Sequence, residues 1–220
     1  MELGLVTAQD STGNTSELLL NTATSPVLGH YAADTSNTVR EYLGIPYATP
    51  PVGPLRWRAP VRARRWARTF NASTFGATCY NTGLSLPIDS GAGANSTSPI
   101  QLPNPPVESE DCLSINVWAP GNSRLRSNGA AVLLWIHGGG FVLGGSFTPF
   151  YSGANIVRDQ TNVIVVSFNY RLNAFGFPNA PGLPPTQRNL GLLNVRAAVE
   201  WTHRNIARFG GSPSRITLFG

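Results

Sequence analysis

Three unbroken apolar runs mark the second half of the chain. They are Ala131-Val132-Leu133-Leu134-Trp135-Ile136, then Val163-Ile164-Val165-Val166 running into Ser167-Phe168-Asn169-Tyr170, then Ile216-Thr217-Leu218-Phe219 before Gly220. The first two lack alternation, which predicts strands covered on both faces in a parallel sheet, and the third begins another apolar strand. Between the second and third runs, residues 190–208 predict a helix. Leu192, Val195, Val199 and Ile206 fall on one stripe, widened by Leu193, Ala197 and Trp201. Gly210-Gly211 and then Pro213 stop it. Strand, helix and strand in that order predict an α/β fold. Shorter strands are expected at 39–47 and 114–118. Residues 81–107 read as a long loop, and residues 1–38 as a poorly defined polar segment preceding a body at 39–220.

Composition narrows the chemistry. Hydrophobic residues are 41% of the 220, enough to exclude a wholly disordered chain. All 16 basic residues are arginine. A P-loop and a Schiff-base enzyme both need lysine, so both are excluded. Three His and two Cys without ligand spacing leave no metal site to expect. The longest apolar run is too short to span a bilayer, so no transmembrane segment is expected. The net charge of +5 draws attention to Arg56, Arg58, Arg62, Arg64, Arg65 and Arg68, interleaved with Trp57 and Trp66. Such a cluster suits phosphates or a solvated loop face. No nucleic-acid motif accompanies it, so no nucleic-acid partner is expected.

Cys79 and Cys112 bracket a stretch dense in Ser, Gly, Asn and Pro, and sequons stand at Asn14, Asn71 and Asn95. Together they favour an oxidising, secreted setting and a glycoprotein. A disulfide would close a loop of 33 residues, worth roughly 3–4 kcal/mol. Two unrelated buried thiols remain the alternative on composition alone. Met1-Glu2-Leu3-Gly4-Leu5 shows no signal-peptide start.

His137-Gly138-Gly139-Gly140-Phe141 directly follows the first apolar run. Successive glycines let the backbone turn sharply and present bare N–H groups. Fixed donors at a strand's carboxyl end are what an oxyanion hole requires, and this HGGG pattern is known from lipases and esterases. A plain glycine-rich turn is the alternative.

Five ordered segments resemble the type B carboxylesterases, which include fungal lipases and cholinesterases. They are Glu41-Tyr42-Leu43-Gly44-Ile45-Pro46-Tyr47-Ala48 with Pro50-Pro51-Val52-Gly53 and Leu55-Arg56-Trp57; Glu110-Asp111-Cys112-Leu113; Trp135 through Phe141; Asn169-Tyr170-Arg171-Leu172; and Phe209-Gly210-Gly211. The resemblance implies an α/β-hydrolase fold, incomplete here, with residues 39–220 as the N-terminal part of the domain. It implies that Gly139 and Gly140 supply the oxyanion N–H groups, with His137, Gly138 and Phe141 completing the loop. It also implies a Cys79–Cys112 disulfide, a structural ion pair between Glu110 and Arg56, secretion, and a small-molecule or lipid ester as substrate. No cofactor is implied.

The family's nucleophile lies in Gly-x-Ser-x-Gly, followed in chain order by the acid and the His. No copy occurs here: Gly83-Leu84-Ser85-Leu86 is followed by Pro87, and Gly144-Gly145-Ser146-Phe147 by Thr148. Gly220 resembles the first glycine of that motif, so the whole triad is expected beyond residue 220 and this chain alone is expected to be inactive. His30, His137 and His203 show no acid in the sequence to orient them as bases. An unfinished sheet predicts marginal stability and self-association. A non-catalytic, cholinesterase-like binding or adhesion protein is the alternative reading. Asn194-Val195 departs from the usual Asp-Gln, Ser212 from the usual Asp, and Ser114 from a position often aromatic.

Overall fold

The computed structural model describes residues 15–81, 107–160 and 162–220. The strands are β1 (Leu19–Asn21), β2 (Pro26–Leu28), β3 (His30–Tyr31), β4 (Val39–Pro46), β5 (Phe70–Asn71), β6 (Ser114–Pro120), β7 (Ala130–Trp135), β8 (Val163–Phe168) and β9 (Gly211–Phe219). The helices are α1 (Ala154–Asp159), α2 (Asn173–Gly176) and α3 (Leu190–Asn205), the last running into a 3₁₀ turn at Ile206–Phe209.

The main sheet has the order β3-β4-β6-β8-β7-β9. The three apolar runs meet as parallel neighbours, β8 and β9 flanking β7. On the other side of β8 the pairing is antiparallel through β6, β4 and β3. Both faces of the central strands β6 and β8 are covered, which is why these strands carry so few polar residues, whereas β9 at the edge is largely exposed. One face packs Tyr42, Ile115, Val132, Ile164 and Phe168 in a core shared with Trp201 and Phe209 of the α3 region. The other packs Val39, Leu43, Trp118 and Val165 against Ala154 and Val157 of α1. Parallel β7, β8 and β9 share their carboxyl ends, since Trp135 pairs with both Ser167 and Phe219. The segments after them therefore emerge side by side, the usual place for a ligand in an α/β sheet.

Three features differ from the sequence pattern. Residues 1–38, where no element was expected, carry from residue 15 the strands β1 to β3; β1 and β2 join β5 in a small second sheet. These strands are two or three residues long, too short to show a period. The buried face of α3 matches the expected stripe only in part: Trp201 and Ile206 are buried and Val195, Ala197 and Val199 pack on the core. Leu192 is 49% exposed, while Asn194, Ala198, Thr202 and Asn205 are buried. Most of their polar atoms find partners inside: Thr202 Oγ1 donates to Ala198 O, and Asn205 Oδ1 accepts from Ala23 N, while Asn194 Nδ2 has no partner among the described residues. The last strand starts earlier than residue 216. It pairs Ala130 with Gly211, then shifts register before Val132–Ile216, so Pro213 sits in the irregular stretch where no ladder donor is needed. Among the described residues β9 pairs on one side only, which leaves an open sheet edge and half-exposed Leu218 and Phe219. Most of the 81–107 loop lies outside the described residues.

Candidate functional site

The chain leaves β7 at Trp135, and Ile136 N still donates to Phe219 O. His137 is buried and turns its ring onto Tyr170, centroids 4.3 Å apart and planes 17° from parallel. Tyr170 Oη donates to His137 O at 2.8 Å. His137 Nδ1 lies 3.0 Å from Gly138 O, which fixes the proton on Nδ1 because a carbonyl only accepts. Nε2 is then a bare lone pair, buried without a partner among the described residues. Burial lowers the pKa of this imidazole and outweighs the Gly138 hydrogen bond, so it is a neutral structural pivot.

The three glycines follow. Gly139 has φ 117° and Gly140 φ 60°, both left-handed, and Phe141 continues with φ 66°. A Cβ on Gly139 would stand 2.0 Å from Leu143 O, so only glycine fits. Gly139 O accepts from Val142 N and Leu143 N, each at 3.1 Å, which closes the turn. The unusual φ of Phe141 is held from both ends: Asn173 N of α2 donates to Phe141 O at 2.7 Å, and its ring packs on Phe177. The N–H groups of Gly138, Gly139 and Gly140 donate to no acceptor among the described residues.

These amides stand at an open cavity of about 420 Å³, lined by Gly138, Gly140, Phe141, Tyr170, Phe219 and Gly220 among others. Gly139 is not among the lining residues; its Cα side faces Leu143. Walls of Phe141, Leu218 and Phe219 make the cavity apolar, with glycine backbone as its polar feature. Such a site suits a neutral, largely apolar molecule with one oxygen that needs donors.

The other predicted residues do not line this cavity; Arg56, Cys79, Glu110 and Cys112 line a separate, smaller pocket. Cys79 and Cys112 are joined, with Cα atoms 5.0 Å apart. Arg56 grips Glu110 with two hydrogen bonds, Nε to Oε2 at 2.6 Å and Nη2 to Oε1. Asn71 is exposed on β5, while Asn14 and Asn95 lie outside the described residues. His30 does have an acid: β3–β4 pairing sets it opposite Glu41, and Nε2 meets Oε2 at 2.7 Å. The sequence hid this because the pairing is a matter of strand register. Among the described residues it makes no catalytic pair, since His30 Nδ1 has no hydroxyl or other partner there. His203 is exposed near the end of α3. No group of three or more metal-ligating side chains occurs among the described residues, and no described helix is long and apolar enough to cross a membrane.

A sequence model described as the carboxylesterase family matches residues 16–220. The chain belongs to the carboxylesterase family. Its fold is accordingly the α/β-hydrolase fold, of type B. The segment is similar to a cholinesterase of Mus musculus, 40% identical over 204 residues, covering 93% of this chain and 32% of that protein. It is similar to an acetylcholinesterase of Bungarus fasciatus, 37% identical over 208 residues, covering 94% and 33%. It is also similar to a fumonisin B1 esterase of Sphingopyxis macrogoltabida, 38% identical over 187 residues, covering 83% and 31%. The chain thus spans about a third of the length of these curated relatives.

Within this carboxylesterase segment, two contacts at the site could not be read from local sequence, although Tyr170 lies in one of the family segments. Tyr170, which holds the His137 carbonyl, and Asn173, which holds Phe141, lie more than thirty residues from their partners. A further feature is the guanidinium of Arg171, which feels the charge of Glu110 but makes no ion pair with it. Arg171 is buried, donating from N at 3.2 Å and from Nε at 2.9 Å to Asn194 Oδ1 and from Nη2 to Arg58 O at 2.9 Å, while Nη1 has no partner among the described residues. Burial lowers its pKa. The neutral Asn194 stands where an Asp would have neutralised it.

Proposed function

We propose that residues 137–141 form the oxyanion loop of a serine carboxylic-ester hydrolase whose substrate is a small-molecule or lipid ester. One observation carries this reading: the amides of Gly138, Gly139 and Gly140 have no acceptor among the described residues, and Gly138 and Gly140 line an apolar cavity. In the hydrolase, a serine attacks the ester carbonyl and the carbonyl oxygen becomes negative. Gly139 and Gly140 donate to that oxygen, held in place by the His137–Tyr170 stack and the Asn173–Phe141 hydrogen bond. Losing one such donor costs about a hundredfold to a thousandfold in rate. The tetrahedral intermediate collapses to an acyl-enzyme with loss of the alcohol, and water then releases the acid. No cofactor takes part.

The 220 residues contain no Gly-x-Ser-x-Gly, so they polarise a carbonyl but attack nothing. The disulfide, together with the Asn71 sequon, supports an extracellular setting with a glycan on β5. Hydrolysis of a short-chain nitrophenyl ester tests the reading. This chain alone is expected to give no turnover above blank. A polypeptide carrying this segment at the length of its relatives is expected to turn over, and a serine-directed phosphonate to abolish that. Phosphonate-sensitive turnover by the 220 residues would overturn the account. A folded, inert long form would favour a binding or adhesion protein instead.

A further inference from the structure

The chain's net charge is not spread over its surface. Its 16 arginines exceed its 11 carboxylates by five. Five exposed arginines, Arg58, Arg62, Arg64, Arg65 and Arg68, lie within one irregular segment. None of them has a carboxylate within ion-pair distance among the described residues, whereas Arg56 just before them is taken by Glu110. These five arginines are equal in number to the chain's net excess of five positive charges. Apolar side chains stand among the charges: Val52 is 44% exposed, Trp57 43% and Val61 45%.

We propose that residues 52–68 form a docking surface for an anionic lipid bilayer. Arginine forks bind phosphate oxygens in pairs, and a surface of anionic headgroups offers many phosphates at once. The interleaved Trp57, Val52 and Val61 suit the headgroup region, where charge and apolar contact are available together. A nucleic acid fits less well. The segment is neither a helix nor a strand that would enter a groove. The Trp57 ring already lies against Phe175 on one contact and Arg56 on another, so it is no free platform for a base. The patch and the glycine loop lean on the same short helix: Trp57 Nε1 donates to Ala174 O, and Asn173 N donates to Phe141 O. Docking would therefore bring the cavity to the lipid surface; that consequence alone rests on the ester reading.

Vesicle co-sedimentation of this chain tests the docking without any assay of activity. Partitioning is expected onto vesicles in which about a third of the lipid is phosphatidylglycerol, and not onto pure phosphatidylcholine. The triple variant Arg62→Gln, Arg64→Gln, Arg65→Gln is expected to lower the partition coefficient about a hundredfold. The triple Arg126→Gln, Arg196→Gln, Arg208→Gln removes the same charge elsewhere and is expected to lower it only a few-fold. Equal losses in the two triples would show that net charge alone acts and would overturn the proposal. So would failure to partition, or binding to duplex DNA that displaces the chain from the vesicles.

Discussion

His137 and Tyr170 lie face to face, and the Tyr170 hydroxyl donates to the carbonyl of the residue its own ring stacks on. Burial lowers the His137 pKa, so the folded chain binds this proton less readily than the unfolded chain, whose imidazole titrates near about 6.5. The contribution to stability is therefore complete above about pH 6.5 and is lost as the pH falls from there to the lowered folded value. His137→Phe keeps the stack and removes the titration. The difference in urea midpoint between the two proteins, followed from neutral pH downwards, is expected to shrink across that window. A difference constant with pH would contradict the neutral, buried imidazole.

Gly139 and Gly140 are predicted to respond unequally to alanine. Gly140 needs only its left-handed φ, since nothing lies within 4 Å of an added Cβ, and Gly140→Ala should cost about 1 kcal/mol. Gly139→Ala adds a collision with Leu143 O to the same strain and should cost about 3 kcal/mol or more, or reshape the loop. Equilibrium urea unfolding of the two variants decides. Equal costs would mean the turn is not closed by Leu143 as described.

Asn194→Asp should stabilise the chain by about 1–3 kcal/mol near neutral pH. It places a carboxylate on the Arg171 Nε and removes the Asn194 Nδ2 donor, which is buried without a partner among the described residues. A lower Tm for the variant would show that the guanidinium charge is already compensated.

The open edge of β9 should make the chain associate. Its unpaired backbone lies beside half-exposed Leu218 and Phe219, the features that invite strand pairing. Sedimentation velocity should show mass rising with concentration, and Leu218→Lys should suppress the rise. A monomer at every concentration would remove this prediction, and with it the expectation of marginal stability.

What the sequence made legible follows from burial. Strands covered on both faces lose their polar alternation, so β7 and β8 stood out as apolar runs; β9 was legible at Ile216–Phe219 although its end is largely exposed. The glycine loop was legible because left-handed backbone at Gly139 and Gly140 restricts the residue type. Burial of polar side chains defeated the same logic elsewhere. Arg40 is 1% exposed, its guanidinium donating to Pro120 O, Glu17 O and Phe209 O, and nothing in the local pattern distinguishes it from a surface arginine. Asn194, Thr202 and Asn205 misdirect the α3 stripe in the same way. The antiparallel joining of β4 to β6 and the His30–Glu41 contact depend on register between distant strands, which no window of sequence contains.

The account turns on whether the amides of Gly138, Gly139 and Gly140 receive a negative oxygen. Titration of the isotope-labelled chain with a short alkyl phosphonate, an oxyanion without a leaving group, reads this through the amide resonances. The account predicts that the Gly139 and Gly140 N–H signals move downfield together and saturate, while amides in β7 stay still. Saturating shifts elsewhere with these two unmoved, or slow hydrogen exchange at both before any ligand is added, would contradict it.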